Sequence, residues 1–126
     1  MNEQRFKEVY SVPRNGANAF YRHPLARNVL LSDGVHDLAA TGCWWLIDLI
    51  ALEGYPKLKR NPDAGMMIVK VKVKDSVASV RGKLFDDKPP QLRQKIDYTD
   101  LPDGEWMFYL GVFDETRLSL ILPTEY

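Results

Sequence analysis

From Met67 to Lys74 the chain alternates between apolar and basic residues. Met67, Val69, Val71 and Val73 fall on one side of an extended backbone, and Lys70, Lys72 and Lys74 on the other. A period of two is the mark of a strand with one face buried and one face in water. Such a strand cannot stand alone: it needs partner strands along its edges and a layer over its apolar face. The next segment, "VASVRGKLF", continues the pattern, with Ala78, Val80, Gly82 and Leu84 in one phase and Ser79, Arg81 and Lys83 in the other. "KDS" between them is short enough for a tight turn, and "DDKPP" ends the ladder because proline donates no backbone hydrogen bond. "QLRQKIDYTD" predicts a third strand, "EWMFYLGVF" a fourth and "RLSLIL" a last one, with "LPDG" and "DET" as connections. Residues 66–122 are therefore expected to form an antiparallel meander of four or five strands.

Residues 1–56 read as helix and loop. Phe6, Val9 and Tyr10 have helical spacing, and Pro13 with "RNGAN" ends that segment. Pro24 keeps His23 out of regular helix, and "NVLL" is a brief strand or buried segment. Ser32 or Asp33 is placed to cap a helix that runs to a break at Gly42. A second helix runs from about Thr41 to Glu53, and "EGYP" stops it through a left-handed Gly54 and Pro56. Asn61-Pro62-Asp63 is a turn. Helices followed by strands give an α+β fold in one domain, residues 1–126, with the N-terminal helical segment packed on one sheet face. At this length folding buries about 65% of the chain's surface, enough for a core without disulfide or metal. Val69, Val71, Val73, Val80, Leu84 and Ile96 are expected to meet Trp45, Leu46, Leu49 and Ile50.

The start, "MNEQRFKEVYSV", lacks the apolar core of a signal peptide, and the longest apolar run is too short to span a bilayer. The single cysteine excludes an internal disulfide. The reading is a cytoplasmic protein with no membrane partner.

That apolar run, "CWWLIDLIAL", contains one charge, Asp48. Its expected partner is Arg22 first and His23 second, from the tetrapeptide "YRHP". Arg22, His23 and Asp48 would then form a structural latch between loop and helix, and Asp48→Ala would strand a buried charge at a cost of about 3–5 kcal/mol. Trp44, Asp48, Ala51 and Tyr55 share one helix face; if only partly covered, Trp44, Asp48 and Tyr55 would make a protein-binding or self-association stripe.

Charge is segregated along the sequence although it sums to zero. Residues 1–56 carry five Lys/Arg against six Asp/Glu, residues 57–95 eleven against four, and residues 96–126 one against seven. The first expectation is mutual neutralisation of neighbouring strands. The second is a basic sheet face of Lys70, Lys72, Lys74, Arg81, Lys83, Arg93 and Lys95 that meets an anionic partner, nucleic acid included. Against nucleic acid, that face lacks interleaved aromatic rings for base stacking.

Catalytic signals are absent. His23, His36 and Cys43 have no metal-ligand spacing, and Cys43 reads as a small buried hydrophobe. No G-x-S-x-G, Walker A, G-x-G-x-x-G or H-E-x-x-H pattern occurs. Asp97, Asp100 and Asp103 read as turn residues. No metal, cofactor or catalytic residue is assigned; a small enzyme using His23 ranks third among the readings.

"FYRH" (Phe20–His23), "SDGV" (Ser32–Val35), "WWLIDLI" (Trp44–Ile50) and "LPTEY" (Leu122–Tyr126), in that order, resemble a family of small bacterial proteins of unknown function often encoded by phages, plasmids and other mobile elements. The loop at 56–65 and "KVKVK" depart from that pattern. The resemblance implies a mobile-element accessory role and carries over no active site. The leading expectation is a non-enzymatic protein that binds a host or phage protein, a defence-system inhibitor being one member of that class. Nucleic-acid binding through the basic face is the alternative.

Overall fold

The alternating segment is a strand along its whole length, Met66–Lys74, in a computed structural model that describes residues 1–126. In chain order the elements are α1 (Glu3–Ser11), β1 (Phe20–Arg22), β2 (Val29–Ser32), α2 (Asp33–Ala39), α3 (Trp44–Lys59), β3 (Met66–Lys74), β4 (Val77–Lys83), β5 (Leu92–Ile96), β6 (Gly104–Val112) and β7 (Leu118–Ile121). Short 3-10 turns span Pro62–Ala64 and Pro123–Glu125. The class is α+β as expected. No helix is long and apolar enough to cross a membrane.

The sheet corrects the expected meander. It has seven strands in the order β1-β2-β7-β6-β3-β4-β5, and β2 pairs with β7 in parallel. β6 does not follow β5 but returns to lie beside β3, from Met66–Gly111 to Val73–Gly104. The reason lies in the side chains. β6 buries Phe108 and Leu110 completely and belongs in the middle. β5 buries Leu92 but exposes Arg93, Gln94 and Lys95, which suits an edge. β1 and β2 escaped the expected strand count because three or four residues show no period; pairing makes them strands.

Register carries the core across the sheet in rows. Leu31, Leu120, Leu110 and Met67 lie opposite one another on four successive strands, and each is at most 1% exposed. Leu46, Ile47 and Ile50 of α3 cover this face beside Val69, Val71 and Val80. α2 packs against α3, and α1 against α2. Trp45, Leu49 and Ile96, expected inside, lie half-buried at the core's margin.

The helix breaks at Gly42, φ +123°, as anticipated, but resumes at Trp44 rather than Thr41. It also runs past "EGYP" to Lys59. Gly54 is not a left-handed cap. A Cβ there would stand 2.7 Å from Leu110 Cδ2, so glycine lets the helix lie close on the sheet. Pro56 sits in the last turn, where one lost backbone bond does not break the helix. Lys57 and Lys59 favour the negative end of its dipole.

Candidate binding face

The helices occupy one face of the sheet; the opposite face of β3, β4 and β5 carries none. In that face Met107, Lys70, Arg81 and Arg93 form one row across four strands, and Glu105, Lys72, Ser79 and Lys95 form the next. Lys74 and Lys83 extend it along β3 and β4. All seven residues expected on a basic face are therefore brought together. The turn between β3 and β4 fixes this register: Asp75 and Ser76 have φ of 52° and 68°, the two-residue turn whose twist matches a hairpin.

Neutralisation by neighbouring strands is only partial. The basic third of the chain folds on itself as β3, β4 and β5, and only β6 brings acid alongside. Its one carboxylate on the face, Glu105, stands 3.9 Å from Lys70 and 4.0 Å from Lys72. Lys95 reaches Asp97 at 3.9 Å, and Lys83 donates to the Asp86 carbonyl at 2.8 Å. Other acids of the last third are spent elsewhere. Asp103 accepts from the Asp75 N–H, and Glu125 is buried. Asp114 is bonded to Arg117, which holds its carboxyl down at about 2. Lys74, Arg81 and Arg93 have no carboxylate within ion-pair distance, and cations directly opposite one another, as Arg81 and Arg93 are, destabilise a sheet.

A groove of about 610 Å³ runs along this face. Met66, Ile68 and Met107 give it an apolar floor, beside Lys70, Arg81 and Lys83. A shallower depression of about 450 Å³ toward β5 adds Lys74, Arg93 and Lys95 and shares Lys72 and Arg81 with the groove. The sequence pattern located the cations; Met66 and Ile68 lie in the same phase of β3 as the lysines, and Met107 was missed because β6 was not expected beside β3.

The latch forms with one change of partner. His23 Nε2 lies 2.7 Å from Asp48 Oδ1. Its Nδ1 accepts from the N–H groups of Leu25 at 3.1 Å and Ala26 at 2.8 Å. Those two donors assign the proton to Nε2, which donates to Asp48. His23 is fully buried and has no ring nitrogen left for a substrate. Arg22 takes no part: neighbours on a strand point to opposite faces, and Arg22, paired with Leu30, is exposed without an ion pair or side-chain hydrogen bond. Asp48 is 38% exposed, so its charge is not stranded in the core. Asp48→Ala is therefore expected to lose about 1–3 kcal/mol in urea unfolding, the cost of an unpaired buried donor, rather than the larger loss of a buried charge. Asp48→Asn, which retains an acceptor, should lose less than about 1 kcal/mol.

The helix stripe is partly covered, with Trp44 still 37% exposed. Ala51 is buried, the Tyr55 hydroxyl accepts from Asn28 at 3.1 Å, and Trp44 meets the His36 ring edge-on at 5.6 Å. Cys43 is buried and donates to the Leu38 carbonyl; burial pushes its thiol up to about 12, far from a thiolate nucleophile. No cluster of three or more His, Cys, Asp or Glu gathers to hold a metal.

A second buried constellation was not foreseen. The Glu125 carboxylate accepts from Ser32 Oγ at 2.6 Å, the Gly34 N–H at 3.1 Å and the Leu122 N–H at 2.9 Å. Ser32 meanwhile caps α2 by accepting from the Val35 N–H. "FYRH" thus meets "WWLIDLI" through His23 and Asp48, and "SDGV" meets "LPTEY" through Gly34 and Glu125. Only Ser32 had a local signal, as a helix cap; its acid lies 93 residues away.

Residues 13–126 match a family of unknown function, DUF6876. No curated protein and no solved structure matches the chain. With nearly the whole fold inside the match and only α1 before it, the protein belongs to this family.

Proposed function

We propose that this protein is a non-enzymatic binding protein that holds an acidic protein partner across the uncovered basic face of its sheet. The observation that carries this reading is the directly opposed pair Arg81 and Arg93, neither with a carboxylate in ion-pair distance, in one row with Lys70. A partner's carboxylates would remove that repulsion, and complementarity of this kind sets both specificity and association rate. The apolar groove floor favours protein over nucleic acid. Met66 and Met107 are adaptable side chains suited to apolar anchors, and the face carries a single strand aromatic, Tyr109 in the row of Ile68 and Lys83, rather than the interleaved rings that stack bases. The engaged nitrogens of His23 support a role without catalysis. The sequence resemblance adds a setting, an accessory protein of a phage, plasmid or other mobile element, with inhibition of a host defence system as one role.

The test is fluorescence anisotropy with a labelled peptide of alternating Glu and Leu, beside single- and double-stranded oligonucleotides, at low and moderate salt. The peptide is expected to bind, and Lys70→Glu with Arg81→Glu to weaken it about 10- to 100-fold. Tighter binding to the oligonucleotides, lost in the same variant, would replace the protein partner with nucleic acid. Affinities unmoved by the charge reversal would remove this face from consideration.

A further inference from the structure

The two edges of the sheet are built differently. β5 presents exposed Arg93, Gln94 and Lys95, and charge of one sign on an edge resists pairing with another strand. β1, at the opposite edge, presents Phe20, Tyr21 and Arg22, all exposed. Backbone bonds run from the Asp33 N–H to the Ala19 carbonyl and from the His23 N–H to the Val29 carbonyl. Because an antiparallel ladder bonds at every second pair, the N–H and C=O groups of Phe20 and Arg22 point away from β2. A free edge with donors and acceptors is thus flanked by large apolar side chains. Phe20 is 39% exposed and Tyr21 45%. Phe113, also exposed, meets the Phe20 ring edge-on at 5.0 Å.

We propose that β1 pairs antiparallel with β1 of a second copy of this chain, centred on Tyr21, to join two sheets into one. The strand is self-complementary in that register. Phe20 falls opposite Arg22 of the second copy, and those are the residues whose backbone groups point outward, so each such pair exchanges both of its hydrogen bonds. Side chains opposite each other share a face, which sets the unpaired Arg22 guanidinium against the Phe20 ring of the other copy, a cation–π contact at both ends of the strand. Tyr21 meets Tyr21 on the helix side as the non-hydrogen-bonded pair, with Cα atoms about 4.5 Å apart. The contact is closed and two-fold, as most homodimers are. An extended segment of another protein would use the same edge but would leave the purified chain monomeric.

That difference supplies the test. Wild-type protein is weighed by light scattering from about 1 μM to about 1 mM, the range of a weak to moderate dimer, and is expected to shift from monomer to dimer. Under mild oxidation Tyr21→Cys is expected to give a covalent dimer, since the opposed Cα atoms lie within disulfide range. Gln94→Cys, on the other edge, stays monomeric, and wild type controls for buried Cys43. Arg22→Pro removes one outward donor and leaves the bonds to β2 in place; it is expected to weaken dimerisation at least about 10-fold. Should circular dichroism show that this variant is unfolded, Phe20→Lys replaces it, setting a cation against Arg22 of the second copy. A wild-type monomer at every concentration, with no Tyr21→Cys cross-link, would overturn the proposal. So would a dimer that neither substitution weakens.

Discussion

Glu125→Ala is expected to lower stability by about 3–5 kcal/mol in urea unfolding, although Glu125 lies at the end of the chain and outside every strand. Three donors converge on its carboxylate: Ser32 Oγ–H and the N–H groups of Gly34 and Leu122. The residue is only 6% exposed, so water cannot readily replace the lost acceptor. Each buried donor left unpaired costs about 1–3 kcal/mol, and the negative charge at the start of α2 is lost too. Glu125→Gln separates these contributions. Its carbonyl oxygen can serve Ser32 and Leu122, but its amide then faces the Gly34 N–H, so the loss should be intermediate. Gly34→Ala attacks the same site from the other side, because its Cβ would stand 2.7–2.8 Å from the Glu125 carboxylate. The two alanine substitutions together should cost clearly less than the sum of their separate effects. Full additivity, or a loss for Glu125→Ala below about 1 kcal/mol, would show that the carboxylate does not tie the C-terminus to α2.

Phe6→Ala is expected to cost about 3–5 kcal/mol as well, by emptying a fully packed site. Phe6 is 0% exposed, and its ring meets Trp106 edge-on at 5.0 Å. Tyr10, one helical turn on, meets the same indole at 5.0 Å, and its hydroxyl accepts the Met107 N–H at 2.9 Å. β7 pairs with β6 only from Tyr109 to Val112, so Tyr10 takes the place of a strand beside Met107. Hydrogen exchange at the Met107 amide therefore reports the docking of α1. Phe6→Ala should accelerate that exchange along with the stability loss. Unchanged protection at Met107 with a loss below about 1 kcal/mol would mean that α1 contributes little to holding the fold.

Residues whose surroundings are set by their immediate neighbours were legible in the sequence. Alternation along Met67–Lys74 and Ala78–Leu84 located two strands, chose their buried faces and put five cations on one side, to which the next strand added Arg93 and Lys95. Ser32 was placed as a helix cap from its local context. Relations between distant segments were not legible in this way. Nothing within β5 or β6 says which of them lies beside β3; that follows from burial demand across the whole sheet. Gly54 and Pro56 look like a stop signal in isolation, yet the approach of α3 to Leu110 gives the glycine another purpose. Asp48 was expected to meet Arg22 because charge attracts charge. Strand geometry overrode this by turning consecutive side chains apart, so buried His23 became the partner. The basic face was located without Met107 for a related reason: that residue belongs to a strand whose position only pairing decides.

β7 has a consequence for how this chain reaches its folded state. Residues 118–121 lie between β2 and β6, so the β1–β2 hairpin joins the rest of the sheet only through a strand near the end of the sequence. The parallel contact of Val29 with Leu118 spans most of the chain, and pairings of such long sequence separation slow folding. During synthesis β3, β4 and β5 can assemble as soon as they emerge, while β2, paired with β1 and packed by α2, must wait with its other edge unpaired. Until residues 118–125 arrive, a nascent chain exposes an unfilled slot that any apolar strand could enter. This is a window in which a chaperone, or a second nascent copy, competes with the chain's own last strand.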